Sequence, residues 1–233
     1  MRIKGWAAVL GVLGIALAYA DVRRQDRQIG LDGGRRTRQC ADFLGMLVDT
    51  TPGGREVHAG PNAGSPILGR IAEPLTVSDS GIWDEEVSFA IKGSQGGWLL
   101  VEGAGDDPEH TGGVQRSMYQ GAGWIRGTGV AVAIQASQAF AEPRHSSDIV
   151  LEAVDSTWLE DGGELTGIAA CEGEWVLGRW KIPDPSRVRY SPEAVVSRNP
   201  LVVEAWATGI CNNPDTTCDM PSGNRPDSLA PSP

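Results

Sequence analysis

Three histidines, four cysteines and a few dense runs of acid are the residues of this 233-residue chain with the means to do chemistry. His58, His110 and His145 stand in no H-E-x-x-H metal motif. The sequence also has no G-x-S-x-G nucleophile elbow and no Gly-Lys-Ser/Thr phosphate loop. A thiol nucleophile would need one of the cysteines free, and all four have another reading below. Asp106-Asp107-Pro108-Glu109-His110 gathers three carboxylates and an imidazole, and oxygen donors suit a hard cation. The run lacks the alternating spacing of a calcium loop, so it reads as a solvated acidic loop. No metal, no cofactor and no catalysis are expected. Two clusters offer binding instead. Trp83-Asp84-Glu85-Glu86, and Trp158 with Glu160 and Asp161, each set an indole beside carboxylates. Such a pairing can meet a cationic peptide or amine through cation–π contact and ion pairing. With Trp98, the residues Trp83, Asp84, Glu85, Trp158, Glu160 and Asp161 form the candidate ligand-binding set.

The ends of the chain set the compartment. Arg2 and Lys4 precede an uncharged, mostly apolar run from Gly5, and Ala18-Tyr19-Ala20 fits a small-x-small cleavage site. Residues 1–20 therefore read as a signal segment and the protein as periplasmic or secreted. The alternative is an uncleaved N-terminal anchor, the only route to a membrane, although the run is shorter than the ~20 residues that span a bilayer. Arginines from Arg23 to Arg38 follow closely, and positive charge there favours retention. In an exported chain the even set Cys40, Cys171, Cys211 and Cys218 suggests two disulfides, with three connectivities open. Cys211 and Cys218 flank a turn-rich segment that would close a small loop, and Cys40 with Cys171 would then tie the N-terminal segment to the second half. A zinc site would want a close C-x-x-C pair, which is absent.

Composition and periodicity give the elements that must position these residues. Gly 31 and Pro 15 make the chain turn-rich, and Trp 8 outnumbers Tyr 3 and Phe 3. The net charge of −10 excludes a general nucleic-acid binder, since phosphate contacts need Lys and Arg. Residues 21–56 read as a polar, Arg-rich linker with a short ordered segment at 40–49, either a helical turn or two or an entering strand. Residues 212–233 read as a Cys-closed loop and a disordered, Pro-rich tail. Between these ends the sequence repeats. Ala59-Gly60-Pro61 aligns with Ala141-Glu142-Pro143, 82 residues on, and Gly123-Trp124-Ile125 with Ala205-Trp206-Ala207 at the same offset. Val87 to Lys92, a turn over Gly93 to Gly97 and then Trp98 match Leu165 to Cys171, Glu172-Gly173-Glu174 and Trp175. Alternation such as Val87, Phe89, Ile91 is that of a half-buried strand. The expected fold is all-β, with two small antiparallel barrels in tandem over 57–136 and 137–211.

The order of landmarks resembles the bacterial SH3-like domain. Val57-His58-Ala59-Gly60-Pro61 through Ile67-Leu68-Gly69, then Gly97-Trp98-Leu99-Leu100-Val101, then Gly123-Trp124-Ile125 carry the resemblance in the first copy. The second copy is weaker: Glu142, Glu174 and Ala205 replace its glycines. Both copies carry long stretches between their tryptophans, at Gly103 to Gln120 and Lys181 to Glu204. The resemblance implies a non-catalytic module of the cell envelope that recognises cell-wall peptide or a protein partner through its loops. The acidity points to amine-bearing stem peptides or a basic protein. The alternatives are a periplasmic adaptor, inhibitor or immunity-type protein and, behind it, a metal- or thiol-dependent enzyme.

Overall fold

The computed structural model describes residues 36–48, 51–74, 87–106, 116–156 and 158–211. The signal segment at 1–20, most of the linker and the tail at 212–233 lie outside the described residues. Among the described residues every regular element is a strand or a short 3-10 turn, so the all-β expectation holds. The first sheet collects β1 (Arg38–Leu47), β2 (Arg55–His58), β3 (Ile67–Ile71), β4 (Val87–Gln95), β5 (Trp98–Asp106), β6 (Gly123–Arg126) and β7 (Val130–Ala131), in the order β3-β2-β6-β5-β4-β1-β7. The second is built from β9 (Gln138–Phe140), β10 (Ile149–Ala153), β11 (Glu164–Glu172), β12 (Trp175–Lys181), β13 (Val188–Tyr190), β14 (Val195–Arg198) and β15 (Leu201–Ala207). It runs β11-β12-β15-β9-β10-β13, with β14 on β15. A short ladder pairs β8 (Ala133–Ile134) with β16 (Ile210–Cys211).

The repeat is carried into three dimensions. The order β3-β2-β6-β5-β4 is repeated as β10-β9-β15-β12-β11. Directly opposed residues form the row Ile67–His58–Trp124–Leu100–Gly93 in the first sheet. The second sheet has the corresponding row Ile149–Phe140–Trp206–Leu177–Ala170. The first hairpins close alike. Ala59 N–H donates to the Pro66 carbonyl at 2.8 Å and Ala141 N–H to that of Asp148 at 2.9 Å. The hydroxyls of Ser65 and Ser147 each accept the N–H five residues earlier, both at 3.1 Å. The second hairpin is tighter than expected. β4 runs on to Gln95, and only Gly96 and Gly97 turn, both at positive φ (56° and 79°), the backbone of a two-residue hairpin that L side chains resist.

Three expectations are corrected. The sheets are open rather than closed barrels: among the described residues no ladder joins the two ends of either sheet. The free edge of β4 is taken by β1, so of the two readings of the ordered segment at 40–49 the entering strand is the one formed, starting at Arg38. The stretch from Gly103 is not all loop, because β5 continues to Asp106. The stretch from Lys181 holds 3-10 turns at Pro185–Arg187 and Pro192–Ala194, then β13 and β14, which widen the second sheet.

The sheets share one hydrophobic core, in which Phe43, Leu47, Phe89 and Ile125 cluster with Leu151, Ile168 and Trp180. Their seam is bonded backbone to backbone. Ala41 N–H donates to the Gly173 carbonyl (2.8 Å), and Gly173 N–H to that of Gln39 (2.9 Å). The Ser94 hydroxyl accepts Cys171 N–H (2.8 Å) and donates to the Cys171 carbonyl (3.1 Å). Ile168 N–H donates to the Gly127 carbonyl at 2.8 Å. A Cβ on Gly127 would meet the Ile168 carbonyl oxygen at 1.9 Å, so only glycine lets the sheets approach this closely. Gly127→Ala is expected to cost about 1–3 kcal/mol by overpacking the seam, read as a lower urea midpoint with an unchanged slope.

Candidate binding cleft

Several of the groups with catalytic potential are engaged by the fold. His58 is buried with its ring edge on Trp98 (centroids 5.0 Å apart). Its Nδ1 lies 3.2 Å from the Ser65 carbonyl and its Nε2 3.5 Å from Glu56, so neither nitrogen is left for substrate. His145 lies against Trp175 at 4.8 Å, and His110 falls outside the described residues. Asp106 is not part of a solvated acidic loop. Its carboxylate is fully buried and takes the Arg116 guanidinium at 2.6 and 3.0 Å, with the Arg116 N–H at 3.0 Å. Those side-chain hydrogen bonds hold the Asp106 pKa below the usual carboxylate value. Arg116 reaches on to the Glu73 carbonyl at 2.7 Å. Among the described residues no group of three His, Cys, Asp or Glu is placed to hold a metal.

Cys40 and Cys171 form a disulfide across the seam, their Cα atoms 5.5 Å apart. Cys211 is also disulfide-bonded, while Cys218, the partner expected for it, lies outside the described residues.

The candidate binding residues fare differently from one another. Trp83, Asp84 and Glu85 lie outside the described residues. Trp98 is only 4% exposed, capped by the Arg126 guanidinium 4.2 Å above its ring, so it presents no open aromatic wall. Its counterpart Trp175 is buried with Phe140 and Trp206 in a small aromatic cluster of the second sheet. Trp158 is half-buried and opens the 3-10 turn Leu159–Asp161, its N–H held by the Ser156 hydroxyl at 3.1 Å. Leu159 is the buried anchor of that turn, which throws Glu160 and Asp161 outward. Glu160 and Asp161 come together on the wall of a cleft of about 370 Å³, and Trp158 stands outside it.

The rest of the cleft comes from segments far apart in sequence. Met46 of β1, Ala131, Val132 and Ala133, Gly162 and Gly163, Glu164 and Leu165 of β11, and Pro183 complete the lining. It lies where β1 and the strand-linking segment 131–133 of the first half meet the start of β11. The only local signal was Gly162-Gly163 between the acids and a strand. A Cβ at Gly162 would strike Val188 at 2.7 Å, so the floor there is bare backbone.

Compared with family models, with curated proteins and with solved structures, the chain matches none. What the cleft can do is therefore read from its own chemistry. Its walls are mostly apolar and its charge is negative. Lys181 neutralises Glu164 at 2.8 Å. Among the described residues no Lys or Arg pairs with Glu160 or Asp161, although the carboxylates of Glu56, Asp106, Glu152, Glu172 and Glu204 all have an arginine. Ile134 N–H donates to Glu160 Oε1 at 3.0 Å, although the residue as a whole stays exposed. Desolvation raises its pKa, opposed by that hydrogen bond and reinforced by the neighbouring Asp161 charge.

A raised carboxyl pKa means that the folded state carries the ionised group at a cost above that pKa, relieved as pH falls through it. Glu160→Gln keeps an oxygen for Ile134 N–H and removes the charge. Its Tm is expected to equal or exceed that of the wild type at pH 7, with the difference shrinking as the buffer is acidified.

Proposed function

We propose that this chain is an exported, non-catalytic binding module of the cell envelope, built from two SH3-like repeats, that recognises a cationic group on cell-wall peptide or on a basic protein. The observation that carries the reading is the cleft in which Glu160 and Asp161, with no cation of their own among the described residues, face apolar walls. Both residues are exposed on the cleft wall, where a cation from outside can reach them. The common strand order of the two sheets supports the repeat on which the family resemblance rests. The seam disulfide suits an oxidising compartment such as the periplasm or the exterior.

Co-sedimentation with purified peptidoglycan tests the reading. Binding at low ionic strength that falls as salt rises is expected, because the attraction is between charges near a surface. Absence of sedimentation at low salt removes the wall ligand.

A further inference from the structure

Each half of the molecule sets an arginine over an indole, but the two arginines come from different places. In the first half Arg126 covers Trp98 at 4.2 Å and is the residue directly opposed to it on β6, so the cap is built into the ladder. At the place that corresponds to Arg126, 82 residues on, the second half has Thr208, which brings no cation. There Trp206 is covered by Arg38, 5.5 Å from the ring centroid, and Arg38 belongs to β1, across the seam. The same guanidinium donates to Glu172 Oε2 at 2.8 Å. An aromatic face with a carboxylate beside it suits a guanidinium, which stacks on the ring and hydrogen-bonds in its own plane. The side chains of Arg38 and Glu172 are 36% and 55% exposed, so the pair opens to solvent. None of Arg38, Glu172 and Trp206 lines the cleft of Glu160 and Asp161.

The strand that brings Arg38 is divided in two. Its ladder to β4 breaks register between Gln39 and Phe43, with Asp42 at a positive φ of 33°. Arg38 to Asp42 are exposed or partly exposed, whereas Phe43 and Leu47 sit in the core. The Cys40–Cys171 bond ties the exposed part to the second half two residues from Arg38, and Cys40 is its partly exposed end, Cys171 being wholly buried. We propose that Trp206 and Glu172 form a binding site for an arginine side chain, that Arg38 fills it from within the chain, and that the Cys40–Cys171 bond is the latch that keeps it filled. A dithiol reductant opens the latch by thiol–disulfide exchange. The S–S bond breaks, Cys40 and Cys171 each take a proton as thiols, and the dithiol gives up two electrons and leaves as its own disulfide. The strand end keeps its backbone bonds to Gly173 and its pairing with Ser94, while the Arg38 side chain exchanges with an arginine from outside. The assignment goes beyond the binding-module reading and does not depend on the cleft.

The test uses the full chain and two small probes, Nα-acetyl-arginine methylamide and its uncharged citrulline counterpart. Binding is followed by NMR at the Trp206 indole N–H, identified by its loss in Trp206→Phe, with Tm measured on each protein. Arg38→Ala keeps the disulfide and removes the occupant. It is expected to bind the arginine probe at least about tenfold more tightly than the oxidised wild type, and at least about tenfold more tightly than it binds citrulline. Adding Glu172→Gln to Arg38→Ala is expected to remove that gain. Wild type reduced with dithiothreitol is expected to fall between the oxidised wild type and Arg38→Ala. A merely structural role for Arg38 would lower the Tm of Arg38→Ala without creating a site for the probe. An Arg38→Ala protein that binds no better than the oxidised wild type, or that binds both probes alike, overturns the site. Reduced wild type that binds no better than oxidised overturns the latch. Reduced wild type that unfolds also overturns the latch, since a switch must leave the fold standing, and Arg38→Ala still decides the site.

Discussion

Replacing Cys40 and Cys171 together by serine is expected to lower the free energy of unfolding by about 4–5 kcal/mol. The two residues are 131 positions apart, so the closed loop restricts the unfolded chain over more than half its length, and in the chain-entropy view the stabilisation grows with loop size. The bond also fixes β1 at the irregularity in its ladder to β4, between Gln39 and Phe43, where Gln39 and Ala41 are hydrogen-bonded to Gly173 of the second half. Without it, β1 keeps its ladder to β4 through Phe43 to Met46 but loses its hold on β11. Chemical denaturation of the double variant, and of the wild type with and without reductant, measures the effect. Hydrogen exchange should show Gln39 to Ala41 and Gly173 losing protection before Phe43 to Met46. A loss below about 1 kcal/mol would show that the backbone seam alone holds the sheets together.

The second large effect is at Asp106 and Arg116. Removing one partner of a buried ion pair costs about 3–5 kcal/mol, because the other is left charged away from water. The two ends of this pair are unequally placed. The Asp106 side chain is wholly buried, whereas Arg116 is 24% exposed and can turn toward solvent. Arg116→Ala should therefore fall in that range and Asp106→Asn should cost less. The pH dependence follows from the lowered Asp106 pKa. The group stabilises the fold above its ordinary value of about 3.8, and that contribution is lost as pH falls through the lower folded value. Acid titrations of stability should show this loss in the wild type and not in Asp106→Asn. Equal costs for the two single variants would mean that desolvation of the carboxylate is not what makes the pair matter.

How much of this was legible in the sequence depends on the range over which each feature is written. The repeat was readable because its landmarks are local. A tryptophan follows a glycine turn at Trp98, and Gly-Trp opens β6, so strand and turn signals sit within a few residues of each other. The same locality misled at Trp98, since an indole after a turn reads alike whether Arg126 covers it or not. Barrel closure failed for a long-range reason. The strand that takes the β4 edge comes from a polar, Arg-rich segment, and its partners Ser94 and Cys171 are remote in sequence. Of the residues lining the cleft, Glu160 and Asp161 were named beforehand because acids beside a Trp form a local pattern. Met46 and the 131–133 segment were not, because nothing in their own sequence says that they meet the start of β11.

β1 also gives the molecule an order in time. It is synthesised before every other described strand, yet the residues that fasten its first half, at Gly173 and Cys171, are made only when most of the chain has emerged. Until then Cys40 waits as an unpaired thiol, and the early half can complete its own ladder but not its attachment to the second. Long-range closures of this kind slow folding more than they weaken the folded state. The described strand made first is therefore among the last to be locked.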